Sequence, residues 1–296
     1  MTRLWNSAPG LLLITGALLG LALPFGKIAV ASGISPALWA FVISFGAGSA
    51  LFGALLSRRS GVGLDAATLR YFAITAAISY AIPNLLLFAA IPHLGAGFTG
   101  IMFTLSPLLT LAISLAMKLR RPDALGIAGI AVGFVGAVMV TLTRGEASQP
   151  AAPFWIGVGL LIPVSLAFGN IYRTLHWPKD SGPIQLAAGS HLAAAAMLLA
   201  VASVMPEGVS FSSLAAAPAL VAAQVVASTT MFAFFFRLQA VGGPVYHSQI
   251  GYVAAALGLF AGTVFLGESY RLATWLGALV ISVGLAMTTK AQLRGG

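Results

Sequence analysis

Cysteine is absent from this 296-residue chain, Asp and Glu together number 6, and charged residues of both signs make up only 7%. Without cysteine there is no thiolate nucleophile, no disulfide framework and no reading of the redox compartment. Six carboxylates leave too few for a two-metal cage or for an acid/base pair with others to spare. No two histidines or carboxylates fall at ligand spacing, so no metal is expected. A soluble domain carries about 25% charged residues, so the deficit excludes an ordinary globular protein, and the high apolar content excludes a disordered one. No glycine-rich phosphate loop followed by Lys and Ser or Thr occurs, which leaves ATP-driven pumping unsupported and no cofactor implied. No linker exceeds about 15 residues, too few for a soluble catalytic domain, so the chain is not read as an enzyme.

What the chain does have is apolar length. Hydrophobic residues make up 59% and the mean hydropathy is +0.99, the profile of an all-α integral membrane protein. A bilayer core of about 30 Å needs about 20 apolar residues per helix. Ten such runs are read: Gly10 to Ile28, Pro36 to Leu56, Leu69 to Ile91, Leu94 to Met117, Pro122 to Leu142, Pro153 to Tyr172, Pro183 to Met205, Ser213 to Phe236, Gly242 to Leu266 and Tyr270 to Thr289. A β-barrel would show short segments of alternating polarity, and these runs are continuous. The first run passes through Gly26 and Lys27 without a small-residue cleavage site, so it is read as a helix and not as a signal peptide.

A net charge of +9 would suggest nucleic acid on a soluble surface. Here the bases sit between apolar runs and report orientation. With ten spans, twelve basic residues fall on one side: Arg3, Arg58, Arg59, Arg70, Lys118, Arg120, Arg121, Arg173, Lys179, Arg237, Lys290 and Arg294. Only Arg144 and Arg271 fall on the other, and Lys27 alone lies within a span. The excess of Lys and Arg on one side puts both termini in the cytoplasm.

The most polar linker, Arg144 to Pro153, divides the chain into a first five-helix half, residues 1–145, and a second, 146–296. Leu23-Pro24-Phe25-Gly26-Lys27-Ile28 resembles Leu166-Ala167-Phe168-Gly169-Asn170-Ile171. Pro36 and Pro183 then open the next span of each half, Leu94-Gly95-Ala96 parallels Val241-Gly242-Gly243, and Gly126, Gly133 and Gly136 parallel Gly277 and Gly284. The matches keep their order, as in an internal repeat. Five spans is an odd number, so the second half enters the membrane from the opposite side, the inverted architecture of secondary transporters.

These features resemble the drug/metabolite transporter superfamily, specifically its ten-helix EamA-type members. Gly20 to Pro36 is similar to the family's first-helix motif, Asn84 to Pro107 to its third and fourth helices, and Leu266-Gly267-Glu268 with Leu276-Gly277 and Gly284 to the signature that closes each repeat. Two departures stand out: Met117-Lys118-Leu119 replaces the Leu-Gly-Glu element in the first half, and Ile43 stands where an Arg is common. The resemblance implies a multi-pass carrier in the bacterial inner (plasma) membrane. It would export small metabolites by alternating access, with aromatic amino acid exporters the most similar members. A multidrug or polar-metabolite exporter of the same superfamily, proton-coupled or not, is the alternative.

Seven residues are candidates for substrate binding: Lys27, Tyr80, Asn84, Asn170, His247, Gln249 and Tyr252. A charge within a span is costly and persists only with a partner or a watered cavity, and Lys27 follows Pro24, which frees backbone carbonyls nearby. The competing reading is a Lys that snorkels to the interface. Asn170 is the repeat counterpart of Lys27, and its amide either meets a ligand or holds helices together. Tyr80 and Asn84 share a helix face beside a kink expected at Pro83. Tyr246 to Tyr252 forms the densest polar cluster near a helix start, read either as cavity lining or as an interfacial aromatic belt. His191 and His93 could titrate near neutrality. Gln224, Ser228, Thr229 and Thr230 precede Phe232, Phe234, Phe235 and Phe236, a polar wall beside an aromatic one or ordinary lipid-facing packing. Gly46, Gly48, Gly133, Gly136, Gly277 and Gly284 are read as helix-packing residues.

No carboxylate falls at the centre of a span and one Lys does, which disfavours cationic cargo; Glu268 is the acid closest to revising this. One ammonium with amides, phenols and aromatic surface suits a zwitterion or monoanion with an apolar side chain. One chain with two repeats could complete a pathway, so a functional monomer is expected.

Overall fold

The computed structural model describes residues 5–86, 90, 93, 104–119, 123–143, 152–205, 208–266 and 270–294. The side chains of Pro24 and Lys27, and all of Phe88, Leu94, Pro122, Arg144 and Glu268, lie outside the described residues. Every described secondary-structure element is helical: α1 Ala8–Ala31, α2 Pro36–Ser57, α3 Ala66–Ala76, α4 Ser106–Ala116, α5 Ala124–Thr143, α6 Pro153–Leu175, α7 Pro183–Val204, α8 Pro218–Ser248, α9 Ile250–Leu266 and α10 Leu272–Arg294. A π-helical turn, Ala77–Ala81, extends α3, and a 3-10 turn, Phe211–Ala216, precedes α8. Among the described residues, α2, α6, α7, α8 and the stretch Leu272–Ala291 are long and apolar enough to cross a membrane.

Helices in hydrocarbon must satisfy their backbone internally, so their ends carry the unpaired groups. Ser7 accepts from Gly10 N at 3.2 Å, and Ser35 from Leu38 N at 3.3 Å. Asp65 accepts from Ala67 N and Thr68 N at 3.0 and 3.1 Å, and Thr68 Oγ1 donates to its other oxygen at 2.6 Å. Those bonds, the Thr68 hydroxyl first, hold the Asp65 carboxyl below its usual range. Proline occupies the first turn of α2, α6, α7 and α8, where its missing N–H costs nothing.

Spans eight and nine meet differently from the sequence expectation. The helix does not stop at Phe236. It continues through Arg237 and Gln239 to a break at Gly243, whose φ of 72° only glycine adopts freely, and Pro244 restarts it. The added turns are held by side chains. Arg237 Nε donates to Trp5 O at 2.9 Å, and its guanidinium lies 5.6 Å from the Trp5 ring.

Helix α5 runs against α10 and α2 against α7; α1 packs on α8 and α9, α6 on α3 and α4, α8 on α2, and α3 on α7. Missing side chains make the closest of these approaches possible. A Cβ on Gly284 would lie 2.4 Å from Gly133 N, and one on Gly136 would lie 2.5 Å from Ile281 N. One on Gly48 would lie 2.9 Å from Leu192 N, and one on Gly46 2.5 Å from the Val225 side chain. The packing role expected for these glycines therefore has a steric basis.

Replacing Gly284 by valine is expected to cost about 1–3 kcal/mol through overpacking and to lower Tm in detergent. Gly53→Val, at a site with nothing within 4 Å, should melt with the wild type. Coincident melting of the two variants would refute close packing of α5 on α10.

Candidate functional site

Pro83 lacks an N–H, so the Ser79 carbonyl loses the partner that a regular helix would supply four residues on. The chain answers with the π turn, in which Ile82 N donates to Ala77 O. Ser165 Oγ of α6 donates to Ile78 O in the same turn at 2.7 Å. Such turns recur at functional sites, and this one turns Ser79 and Tyr80 into the bundle, where both are buried. The kink expected at Pro83 is thus a widened turn.

Opposite it, Arg173 of α6 is 1% exposed. The structure corrects the reading of Arg173 as a loop charge. It lies two residues before the end of α6, and its guanidinium is enclosed by neighbouring helices. Moving it leaves eleven basic residues on one side against two, so the charge asymmetry stands.

Arg173 Nη2 donates to Asn170 Oδ1 at 2.6 Å and to Gln239 Oε1 at 3.3 Å, and Nη1 donates to Ser79 Oγ. Asn170 Nδ2 donates in turn to Thr110 Oγ1 of α4 at 3.2 Å. Gln239 Nε2 donates to Asn170 O at 3.0 Å and also to Thr174 Oγ1. The guanidinium carbon stands 5.0 Å from the Phe235 ring centroid, within cation–π range. Four helices thus converge on one cation, and among the described residues no carboxylate pairs with it. Gly169 permits the approach, since a Cβ there would lie 2.4 Å from Ser79 Oγ.

An aromatic belt continues from the cation. His247 meets the Phe235 ring edge-on at 4.1 Å between centroids, and Phe232 stands 5.7 Å from Phe235. His191 lies 3.7 Å from Phe232 and 4.1 Å from Tyr80. Several buried polar atoms here have no hydrogen-bond partner: Arg173 Nε, Tyr80 Oη, both ring nitrogens of His191, Ser190 Oγ and Gln249 Oε1. Leaving a buried donor or acceptor unsatisfied costs about 1–3 kcal/mol.

The sequence-based candidates separate on this geometry. Asn170 is inside the network, Tyr80 and His247 are in the belt, and Asn84 is half-buried one turn beyond Tyr80. Gln249 is buried just past the break at Gly243. Tyr252 serves packing: its hydroxyl donates to Ile130 O at 3.2 Å, and its ring fills the space over Gly133. The Lys27 side chain lies outside the described residues. Ser228, Thr229 and Thr230 bond carbonyls of their own helix and form no polar wall. His93 stacks on Trp155 at 3.8 Å. Arg173, Gln239 and Ser79 were missed as site residues. The spacing of Asn170 and Arg173, three apart on one helix face, was the available signal.

Residues 7–142 match the EamA-like transporter family. No curated protein matches the chain. A solved structure titled only "Crystal structure of protein" superposes with a TM-score of 0.75 at 20% identity, over 98% of this chain and 99% of that one. That likeness shows the fold. That family is one of transporters, and the match covers 136 of the 296 residues.

Gly169→Ala is expected to push Ser79 off the guanidinium and cost about 1–3 kcal/mol by overpacking, seen as a lower Tm. Adding Ser79→Ala removes the obstructing oxygen and should recover part of the loss. A double variant less stable than the single one would contradict this geometry.

Proposed function

We propose that the chain is a secondary carrier that exports small carboxylate-bearing metabolites, hydrophobic and aromatic amino acids foremost, across the bacterial inner membrane by alternating access. The observation that carries this reading is the buried Arg173 guanidinium, which among the described residues is satisfied by neutral oxygens alone, with Nε unpartnered. A carboxylate is the group such a cation prefers, because a charge-assisted bond is roughly twice as strong as a neutral one. Phe232, Phe235, Tyr80 and the two histidines offer aromatic surface beside it, suited to an apolar or aromatic side chain. Outward direction rests on the family resemblance.

The helix contacts support two inverted halves, residues 1–145 and 146–296. Exchanging α1–α5 with α6–α10 maps the pair α2–α7 onto itself, and α5–α10 likewise. It maps α1–α8 onto α6–α3, α1–α9 onto α6–α4, and α2–α8 onto α7–α3. Halves related in this way can rock about a shared site, and one chain then holds a whole pathway. The second reading, a multidrug or polar-metabolite carrier in which a proton accompanies the cargo, would call on a histidine such as His191.

In proteoliposomes, saturable flux of phenylalanine and tryptophan should fall about tenfold or more in Arg173→Gln, the worth of a charge-assisted bond. Asn170→Asp is the sharper variant, since a carboxylate within 2.6 Å of Nη2 would neutralise the cation in place. It should raise Tm and abolish flux. Flux that survives both variants would refute the Arg173 reading, and flux that needs an imposed pH gradient would favour the proton-coupled one.

A further inference from the structure

Away from the Arg173 network, a second concavity opens between α2, α3, α7 and the α2–α3 loop. It encloses about 350 Å³ and is lined by apolar side chains, among them Phe52 of α2, Val62 and Leu64 of the loop, Phe72 and Ala73 of α3, and Leu192 of α7. Gly189 makes its floor possible: a Cβ there would lie 2.3 Å from the Phe72 ring, so the missing side chain lets that ring sink into the bundle.

The loop that closes the groove is built rather than loose. Gln185 Nε2 donates to Gly61 O at 2.6 Å and to Ser60 Oγ at 3.4 Å, while its Oε1 accepts from Gly182 N at 2.6 Å. Asp65 fixes the loop's other end by capping α3. Between these anchors Leu64 is 74% exposed, and Leu69, in the first turns of α3, is 48% exposed. Two large apolar side chains held outward, one by the pinned loop and one by the helix it caps, suit a hydrocarbon environment rather than water.

Charge identifies the occupant. Arg58 and Arg59 begin the loop, Arg70 lies beside Leu69, and all three are exposed. Among the described residues no carboxylate pairs with them, and Asp65, the acid of this loop, has its oxygens committed to Ala67 and Thr68. Three exposed arginines in or next to the segments that line the cleft put positive charge beside it, which is complementary to one molecule abundant around any membrane helix, a phospholipid with an anionic headgroup.

We propose that this groove is a binding site for an anionic phospholipid, one acyl chain lying along Phe52, Phe72, Ala73 and Leu192 and the headgroup phosphate held by Arg58, Arg59 and Arg70. The site is independent of the transported solute. It ties α2 to α3 and α7 from the membrane side, where the protein's own contacts leave a cleft.

Native mass spectrometry of the full chain, released from detergent with equimolar dioleoyl phosphatidylglycerol and dioleoyl phosphatidylcholine, tests this. The wild type should retain phosphatidylglycerol preferentially, and each arginine replaced by Gln should reduce the preference by on the order of fivefold. The Arg58→Gln, Arg59→Gln, Arg70→Gln triple variant should bind both lipids alike. Ala73→Phe, an exposed position on the groove wall, should lose bound lipid of both kinds with Tm unchanged. The proposal is overturned by equal retention of the two lipids in the wild type, by a preference that survives the triple variant, or by lipid retention unaffected in Ala73→Phe. A dimeric mass that Ala73→Phe abolishes would assign the groove to a second copy of the chain and overturn it equally.

Discussion

A guanidinium enclosed by helices has five N–H groups to satisfy and a charge to neutralise, and at Arg173 only the first demand is partly met. Asn170, Gln239 and Ser79 supply oxygens from α6, α8 and the π turn, and the Phe235 ring covers one face. Much of the surrounding structure follows from holding those groups in place. Pro83 forces the π turn that presents Ser79, and Gly169 leaves room for it to approach. Gln239 keeps α8 helical beyond Phe236, and Thr110 brings α4 into the network through Asn170. A buried pair is costly to break but is weak evidence for stability. A buried cation with no carboxylate beside it among the described residues fits the proposed binding role better than that of a brace.

Against that polar centre, the rest of the bundle is held by close approach. Lipid supplies little hydrophobic force between helices, so packing depends on how near backbones come. Glycines on α5 and α10 bring the two helices to a separation at which no Cβ fits, and α2 and α7 meet in the same way at Gly48. Both pairs are the ones that map onto themselves when the halves are exchanged, so in the inverted-repeat reading they lie on the axis relating the halves. The candidate site lies off the α5–α10 pair and beside the α2–α7 pair, among α3, α4, α6, α7 and α8, where the contacts leave polar atoms unpaired.

Membrane class was legible from composition, and helix starts at Pro36, Pro153 and Pro183 from proline alone. The glycine pattern foretold the tightest contacts. What escaped was the fate of polar residues near helix ends. Arg173, Arg237 and Gln239 read as loop residues because a sequence shows the cost of burying them and conceals their partners. Apart from Asn170, three residues before Arg173, those partners lie 65 or more positions away, among them Arg173 for Gln239 and, 232 positions off, Trp5 for Arg237. Tyr252 shows the converse: its neighbours in sequence are polar, while its neighbours in space are Gly133 and the Ile130 carbonyl. Tyr80 and Asn170, which the structure places in the belt and the network, each sit beside a local feature, Pro83 and the repeat motif, that marks them without knowledge of the fold.

The central claim is that Arg173 reads a carboxylate, and the most direct measurement compares ligands that differ only there. Binding of radiolabelled phenylalanine to the purified protein, competed by 3-phenylpropionate, which lacks the ammonium, and by phenethylamine, which lacks the carboxylate, separates the two groups. The account predicts that phenylpropionate displaces phenylalanine and that phenethylamine does not. Displacement by phenethylamine as effective as by phenylpropionate would contradict it.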